Sequence, residues 1–245
     1  KDLDRTITLY SNVLEGYNAG EINAQLKDLI DNNLTVPDGY QVLFTGEEEK
    51  KQEEMAFLST ALLMAVFMIF LIIVAQFNKL SAPVIILFSV ILSTIGVFLG
   101  LVIFQMDFII IMTMIGIISL AGIVVNNAIV LLDYTDLTKE RMLAEKQEGS
   151  ELTIEEVKDA IVESGKTRLR PVLLTAITTV LGLVPLAIGL NIDFFGLFKD
   201  FAPNIWVGGD NVMFWGPMSW TIIFGITFAT FLTLIIVPVM YLLVD

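Results

Sequence analysis

Polar side chains inside long apolar runs are where chemistry would sit in this sequence. Asn126 and Asn127 are adjacent in a charge-free run, residues 108–132. Arg168 stands just before another, residues 171–192, and Thr175 lies near its start. Polar groups in hydrocarbon are costly unless partnered, so they usually face a helix bundle or a water path. Two readings of the asparagines stand side by side. One is interhelical hydrogen bonding, worth roughly 0.6–2 kcal/mol per bond; the other is a transport pathway. Thr175 is placed to partner them or to bond back to its own helix. Arg168 either snorkels to the interface or turns inward. Asp107 and Asp133 fall at run ends and read as interfacial.

Catalysis is not expected. The chain has no His and no Cys, which removes the usual general base, the thiol nucleophile and the commonest metal ligand. No glycine-rich phosphate loop is present, and no carboxylate pair lies inside an apolar run. The expectation is therefore a non-enzyme with no metal and no cofactor. A net charge of −13 also opposes nucleic acid as a partner, because phosphate binding needs a basic patch.

The elements that carry these residues follow from the same composition. Of the 245 residues 56% are hydrophobic, above the usual globular range. Residues 56–78, 80–106, 108–132, 171–192 and 211–244 carry no charge. A helix crosses a hydrocarbon core of about 30 Å with roughly 20 residues, and a single segment there must satisfy its own backbone hydrogen bonds. The fold class is a mainly α-helical polytopic membrane protein. Five transmembrane helices are expected, at about 56–78, 81–105, 108–133, 171–191 and 214–244. Residues 134–170 would be a helical loop on one side, and residues 192–213 a loop on the other.

Lys and Arg orient the bundle, since they favour the cytoplasmic side. Lys79 follows the first span, and Lys139, Arg141, Lys146, Lys158, Lys166, Arg168 and Arg170 fill the loop after the third. The turn at Asp107 has none, and the loop before the last span has only Lys199. Lys79, the basic loop and Asp245 are thus expected inside, and the amino-terminal segment outside. Trp206, Trp215 and Trp220, with Phe194, Phe195, Phe198, Phe201 and Phe214, mark an aromatic belt at the outer interface.

Small residues predict packing faces, because they let helix backbones approach. Ser89, Ser93, Gly96 and Gly100 share one face of the second span. Gly116, Ser119 and Gly122 occur in the third, and Thr175, Thr178 and Gly182 in the fourth, before Pro185, which should kink it. Gly225, Ala229 and Thr233 line the fifth. In the basic loop Thr153 and Glu156 form a capping pair, and Gly165 would close a short surface helix. Pro171 would then open the next helix.

Residues 1–46 read as a βαβ piece: a strand over 6–13, a helix with Ile22, Leu26, Leu29 and Ile30 on one face, and a strand over 40–45. Asn18 with Glu21 would cap the helix, and residues 36–39 would turn. Residues 47–54 read as a solvated helix leading into the membrane. One βαβ unit cannot bury its own faces, and the chain opens at Lys1. Both features suggest a piece of a longer polypeptide.

Four motifs carry a resemblance to a known family. Residues 122–134, from Gly122 through Asn126-Asn127 to Asp133-Tyr134, resemble the tenth transmembrane helix of resistance–nodulation–division (RND) exporters. Arg168-Leu169-Arg170-Pro171-Val172-Leu173-Leu174-Thr175 resembles the start of the eleventh. Pro37-Asp38-Gly39-Tyr40 and Thr45-Gly46-Glu47 are similar to the end of the last porter subdomain. Phe77-Asn78-Lys79-Leu80-Ser81-Ala82-Pro83 is similar to the connection from the eighth helix to the ninth. The likeness covers the whole chain in order and is closest to the hydrophobe/amphiphile multidrug branch.

The resemblance implies a secondary transporter. Residues 1–46 would belong to a periplasmic porter domain, and residues 47–245 to helices eight to twelve. Such pumps are homotrimers of the bacterial inner membrane that exchange protons for amphiphilic drugs. They work with a periplasmic adaptor and an outer-membrane channel. An acidic pair on the fourth helix, a Lys on the tenth, and an Arg and a Thr on the eleventh relay the protons. The last two correspond to Arg168 and Thr175, while the Lys position is Asn126. Asn cannot titrate, so Arg168 is left as the one candidate cation. The expected arrangement has Arg168 and Thr175 facing the bundle interior near Asn126. The same sequence also fits an RND relative that transports lipids or assists protein translocation, or a non-transporting scaffold.

Overall fold

Each charge-free run must form a helix where water is absent, and each is helical over most of its length. The structure is a computed structural model. It describes residues 6–12, 19–33, 37, 42–44, 47–146, 152–193 and 204–244. They fall into two compact units, Lys1–Glu54 and Met55–Asp245.

In the first unit, helix α1 spans Ala19–Asn33. Ile22 and Ile30 are half-buried while Leu26 and Leu29 are exposed. The expected flanking strands do not appear among the described residues: 6–12 and 42–44 have no strand structure, and Ile7 and Leu9 are over 90% exposed. Parallel strands need lateral partners and a covered face, and the exposure of Ile7 and Leu9 denies them both. The capping pair at Asn18 and the turn at 36–39 rest on residues outside the described ones.

The five long helices are α2 (Glu47–Phe77), α3 (Ser81–Ile103), α4 (Ile110–Ala144), α5 (Ile154–Ile188) and α6 (Asp210–Val244). All five are long and apolar enough to cross a membrane. Helix α6 is the hub and packs against α3, α4 and α5. Two buried clusters run along it. One gathers Ile85, Ile86, Leu132 and Val237 with Ile73 of α2. The other gathers Val97, Leu120, Val124 and Ile226. Helices α2 and α5 are peripheral: only 11% and 17% of their apolar stretches are buried, against 56% for α4.

Residues 134–170 are not a loop with its own surface helix. Helix α4 runs on to Ala144, and α5 starts at Ile154, opened by Thr153 and Glu156 in a capping box. Glu156 also pairs with Lys146 at 2.6 Å. Helix α5 then continues through Gly165 and Pro171 to Ile188. Gly165 is therefore a mid-helix residue, not a cap. A closing glycine adopts a left-handed conformation; Gly189 does so at the real end of α5, with φ +71°. Pro185 lies in the last turn.

Residues 190–192 and 205–207 add a feature that the sequence reading lacked. Strands β1 (Leu190–Ile192) and β2 (Ile205–Val207) pair antiparallel. The four phenylalanines at 194, 195, 198 and 201 lie outside the described residues.

Candidate coupling site between α4 and α5

The inner face of α4 is set by Leu120, Val124, Ala128 and Leu131, all buried. Successive residues on a helix point about 100° apart, so the two adjacent asparagines turn toward that face to different degrees. Asn127 takes it and is 6% exposed, while Asn126 is exposed. Thr175 and Thr178 are also exposed on α5, and their hydroxyls donate back to Pro171 O and Leu174 O, each at 2.9 Å. The expectation that Thr175 faces the interior of this bundle near Asn126 is thus corrected, since both are exposed. The apolar residues beside them fill the contact with α6.

Arg168 turns inward, toward α4. Its guanidinium carbon lies 4.5 Å from the centre of the Tyr134 ring, a cation–π arrangement. Its Nε is buried without a hydrogen-bond partner. The neighbouring turn of α5 explains this position. Ala160 and Ser164 are fully buried, Ser164 against α4. Ser164 Oγ donates to Ala160 O at 2.6 Å and lies 3.3 Å from Thr138 Oγ1. Small residues here bring the two helices together, and Arg168 follows one turn later on the same stripe.

These contacts set the register of two antiparallel helices. Thr138 stands opposite Ser164, and Tyr134 opposite Arg168. Two further turns along each helix, about 12 Å at 1.5 Å per residue, reach Asn126 on α4 and Ala176 on α5. Thr175 is therefore level with Asn126, and Arg168 sits about two turns below both, on Tyr134. Asp107 and Asp133 are exposed.

A second polar cluster was not foreseen. Tyr241 of α6 donates its hydroxyl to Asp136 of α4. Lys79, in the turn between α2 and α3, lies 3.8 Å from the same carboxylate. Lys139 sits 5.2 Å from the centre of the Tyr241 ring. The signal was faint: single polar residues at matching ends of separate runs.

The packing glycines divide. A Cβ added at Gly96 would meet Phe228 Cβ at 2.3 Å, one at Gly100 would meet Phe224 Cγ at 2.3 Å, and one at Gly116 would meet Thr221 at 2.8 Å. Gly122 has open space instead, on the exposed side of α4 with Ser119. Trp206 in β2 and Trp215 in the first turns of α6 are exposed, while Trp220 stacks on Phe224.

Comparison with known proteins fits this architecture. Residues 1–192 match the AcrB/AcrD/AcrF family. The chain is 34% identical over 224 residues to the swarming motility protein SwrC of Bacillus subtilis, covering 91% of this chain and 18% of SwrC. It is 26% identical to the multidrug resistance protein MdtC of Erwinia tasmaniensis over 99% of this chain and 21% of MdtC. It is 28% identical to the cobalt-zinc-cadmium resistance protein CzcA of Cupriavidus metallidurans over 97% of this chain and 19% of CzcA. A crystal structure of a heavy metal efflux pump superposes with a TM-score of 0.68 at 25% identity, over 94% of this chain and 20% of that pump. The chain spans about a fifth of the length of these relatives. The chain belongs to the AcrB/AcrD/AcrF family of RND transporters, as a multi-pass membrane segment of it.

Proposed function

We propose that this chain is the energy-coupling part of an RND pump that exports amphiphilic compounds by proton antiport. The observation that carries the reading is Arg168: a guanidinium held between two membrane helices with a buried, unpartnered Nε. Such a group favours a nearby carboxylate when that carboxylate is ionised, and loses the attraction when it is protonated. Carboxylates of the family's fourth helix, supplied by the rest of the pump, would be the partners. Proton binding and release there would be felt as movement of Arg168 on Tyr134. Asn126 and Thr175, level with each other on the exposed side of α4 and α5, would line the same path and offer hydrogen bonds without charge. Asn127 would fix α4 from the inner side.

In this reading the pump is a homotrimer of the inner membrane. Lys79 and the α4–α5 connection are cytoplasmic, and residues 1–46 belong to a periplasmic porter domain. A periplasmic adaptor and an outer-membrane channel complete the export route. The names of CzcA and of the heavy metal efflux pump favour a second reading, metal export by the whole protein.

The test is dye accumulation in cells expressing the full-length pump. Arg168→Ala should raise accumulation to that of pump-free cells at equal expression, and Asn126→Lys should be tolerated. Unchanged efflux with Arg168→Ala would overturn the coupling role. Protection of the cells against zinc but not against dyes would favour the second reading.

A further inference from the structure

The hairpin between α5 and α6 has a face that water does not suit. Leu190 pairs with Val207, and Ile192 with Ile205. Side chains alternate along a strand, so these four aliphatic residues share one face while Asn191 and Trp206 share the other. Leu190 and Ile192 are each 37% exposed, Ile205 61% and Val207 65%. An antiparallel ribbon normally keeps its apolar face covered.

The hairpin is held firmly to the ends of two membrane helices. Gly208 N–H donates to Gly189 O at 3.0 Å. Asn191 Nδ2 donates to Gly189 O at 2.9 Å and to Gly208 O at 2.7 Å. Gly189 lies so close to α6 that an added Cβ would fall 1.6 Å from Val212 Cγ2. The apolar face is thus fixed at the level where α5 ends and α6 begins. In the adjoining helix ends Ile188, Met213, Phe214 and Trp215 are exposed as well, and those helices are apolar enough to cross a membrane. The hairpin face thus sits at the junction of two helix ends apolar enough to lie in a membrane.

Backbone chemistry fixes the depth. A two-stranded ribbon leaves its outer rows of N–H and C=O groups unpaired, and hydrocarbon excludes such groups. Water penetrates the headgroup boundary, and aromatic rings such as those of Trp206 and Trp215 favour that layer.

We infer that the hairpin is an interfacial anchor, its Leu190, Ile192, Ile205 and Val207 face resting on phospholipid at the boundary between headgroups and acyl chains. The anchor sets the height of the α5–α6 corner in that leaflet. The inference stands whether or not the pump is proton-coupled.

The test uses the full-length pump in phospholipid vesicles with a nitroxide label at Ile205→Cys, and at Asn204→Cys as the reference on the ribbon's opposite face. This chain has no Cys of its own. Accessibility to oxygen, which concentrates in lipid, is compared with accessibility to a water-soluble nickel complex. The oxygen-to-nickel ratio at position 205 should exceed that at 204 several-fold. Val207→Cys, on the same face, should agree and serves if Ile205→Cys fails to assemble. Nickel access equal to that at 204 would place the face in water and overturn the inference. Exclusion of both reagents would place it under protein and overturn it equally.

Discussion

Gly96→Ala should damage the bundle far more than Gly225→Ala, although both add one methyl at a helix crossing. At Gly96 the new Cβ would lie 2.3 Å from Phe228 Cβ. Apolar carbons rest at about 3.5–4.0 Å. Phe228 Cβ is bonded to its own backbone, so no side-chain rotation relieves the clash, and α3 and α6 must part by more than about 1 Å. At Gly225 the new Cβ meets the tip of Leu120, Cδ2, at 2.1 Å and Val97 Cγ2 at 2.9 Å. A change of rotamer at Leu120 removes the worst contact. Overpacking costs about 1–3 kcal/mol; Gly96→Ala belongs at the upper end and Gly225→Ala at the lower. The assay is thermal survival of the detergent-solubilised full-length pump, read as the monodisperse fraction after heating. Leu120→Ala leaves a cavity and weakens the pump by itself. Combined with Gly225→Ala it should show favourable coupling, and combined with Gly96→Ala none. Equal losses for the two glycines, or rescue of Gly96→Ala by Leu120→Ala, would refute the packing argument.

Gly189→Ala should be strongly destabilising for two reasons, the left-handed backbone and the clash with Val212. Adding Val212→Ala should recover only part of the loss, leaving about 1–2 kcal/mol of backbone strain in the same heating assay. Gly165→Ala should instead stabilise by roughly 0.8–1 kcal/mol, because Gly165 is mid-helix with open space beside it; a loss of stability would restore it as a cap. Thr153→Ala should cost about 1 kcal/mol by removing the capping box. Lys146→Ala should cost under about 1 kcal/mol, as expected for a part-exposed ion pair.

The membrane architecture was legible because absence of charge over 20 or more residues leaves a chain few options. The packing face of α3 was legible for a related reason: Ser89, Ser93, Gly96 and Gly100 repeat at helical spacing, and all four are buried. Three things were not legible. Polarity suggested a loop over residues 134–170, but charged residues are good helix formers once past the membrane surface, and α4 and α5 extend through it. The facing of Asn126 was hidden as well. Periodicity says which residues share a face, but only the contact with α6 decides which face is inside. The same contact explains Gly122, whose neighbours Gly116 and Leu120 turn inward while it turns out. The α5–α6 hairpin, at three residues per strand, is too short for alternation to register.

The most direct test of the account is proton movement by the full-length pump in vesicles holding a pH-sensitive dye. Addition of an amphiphilic substrate should release protons in the wild type, and Arg168→Ala should abolish the release while leaving substrate binding intact. Arg168→Lys should retain part of it, since it keeps the charge and loses the planar fork. Undiminished proton movement with Arg168→Ala would contradict the account and reduce Arg168 to a packing contact on Tyr134.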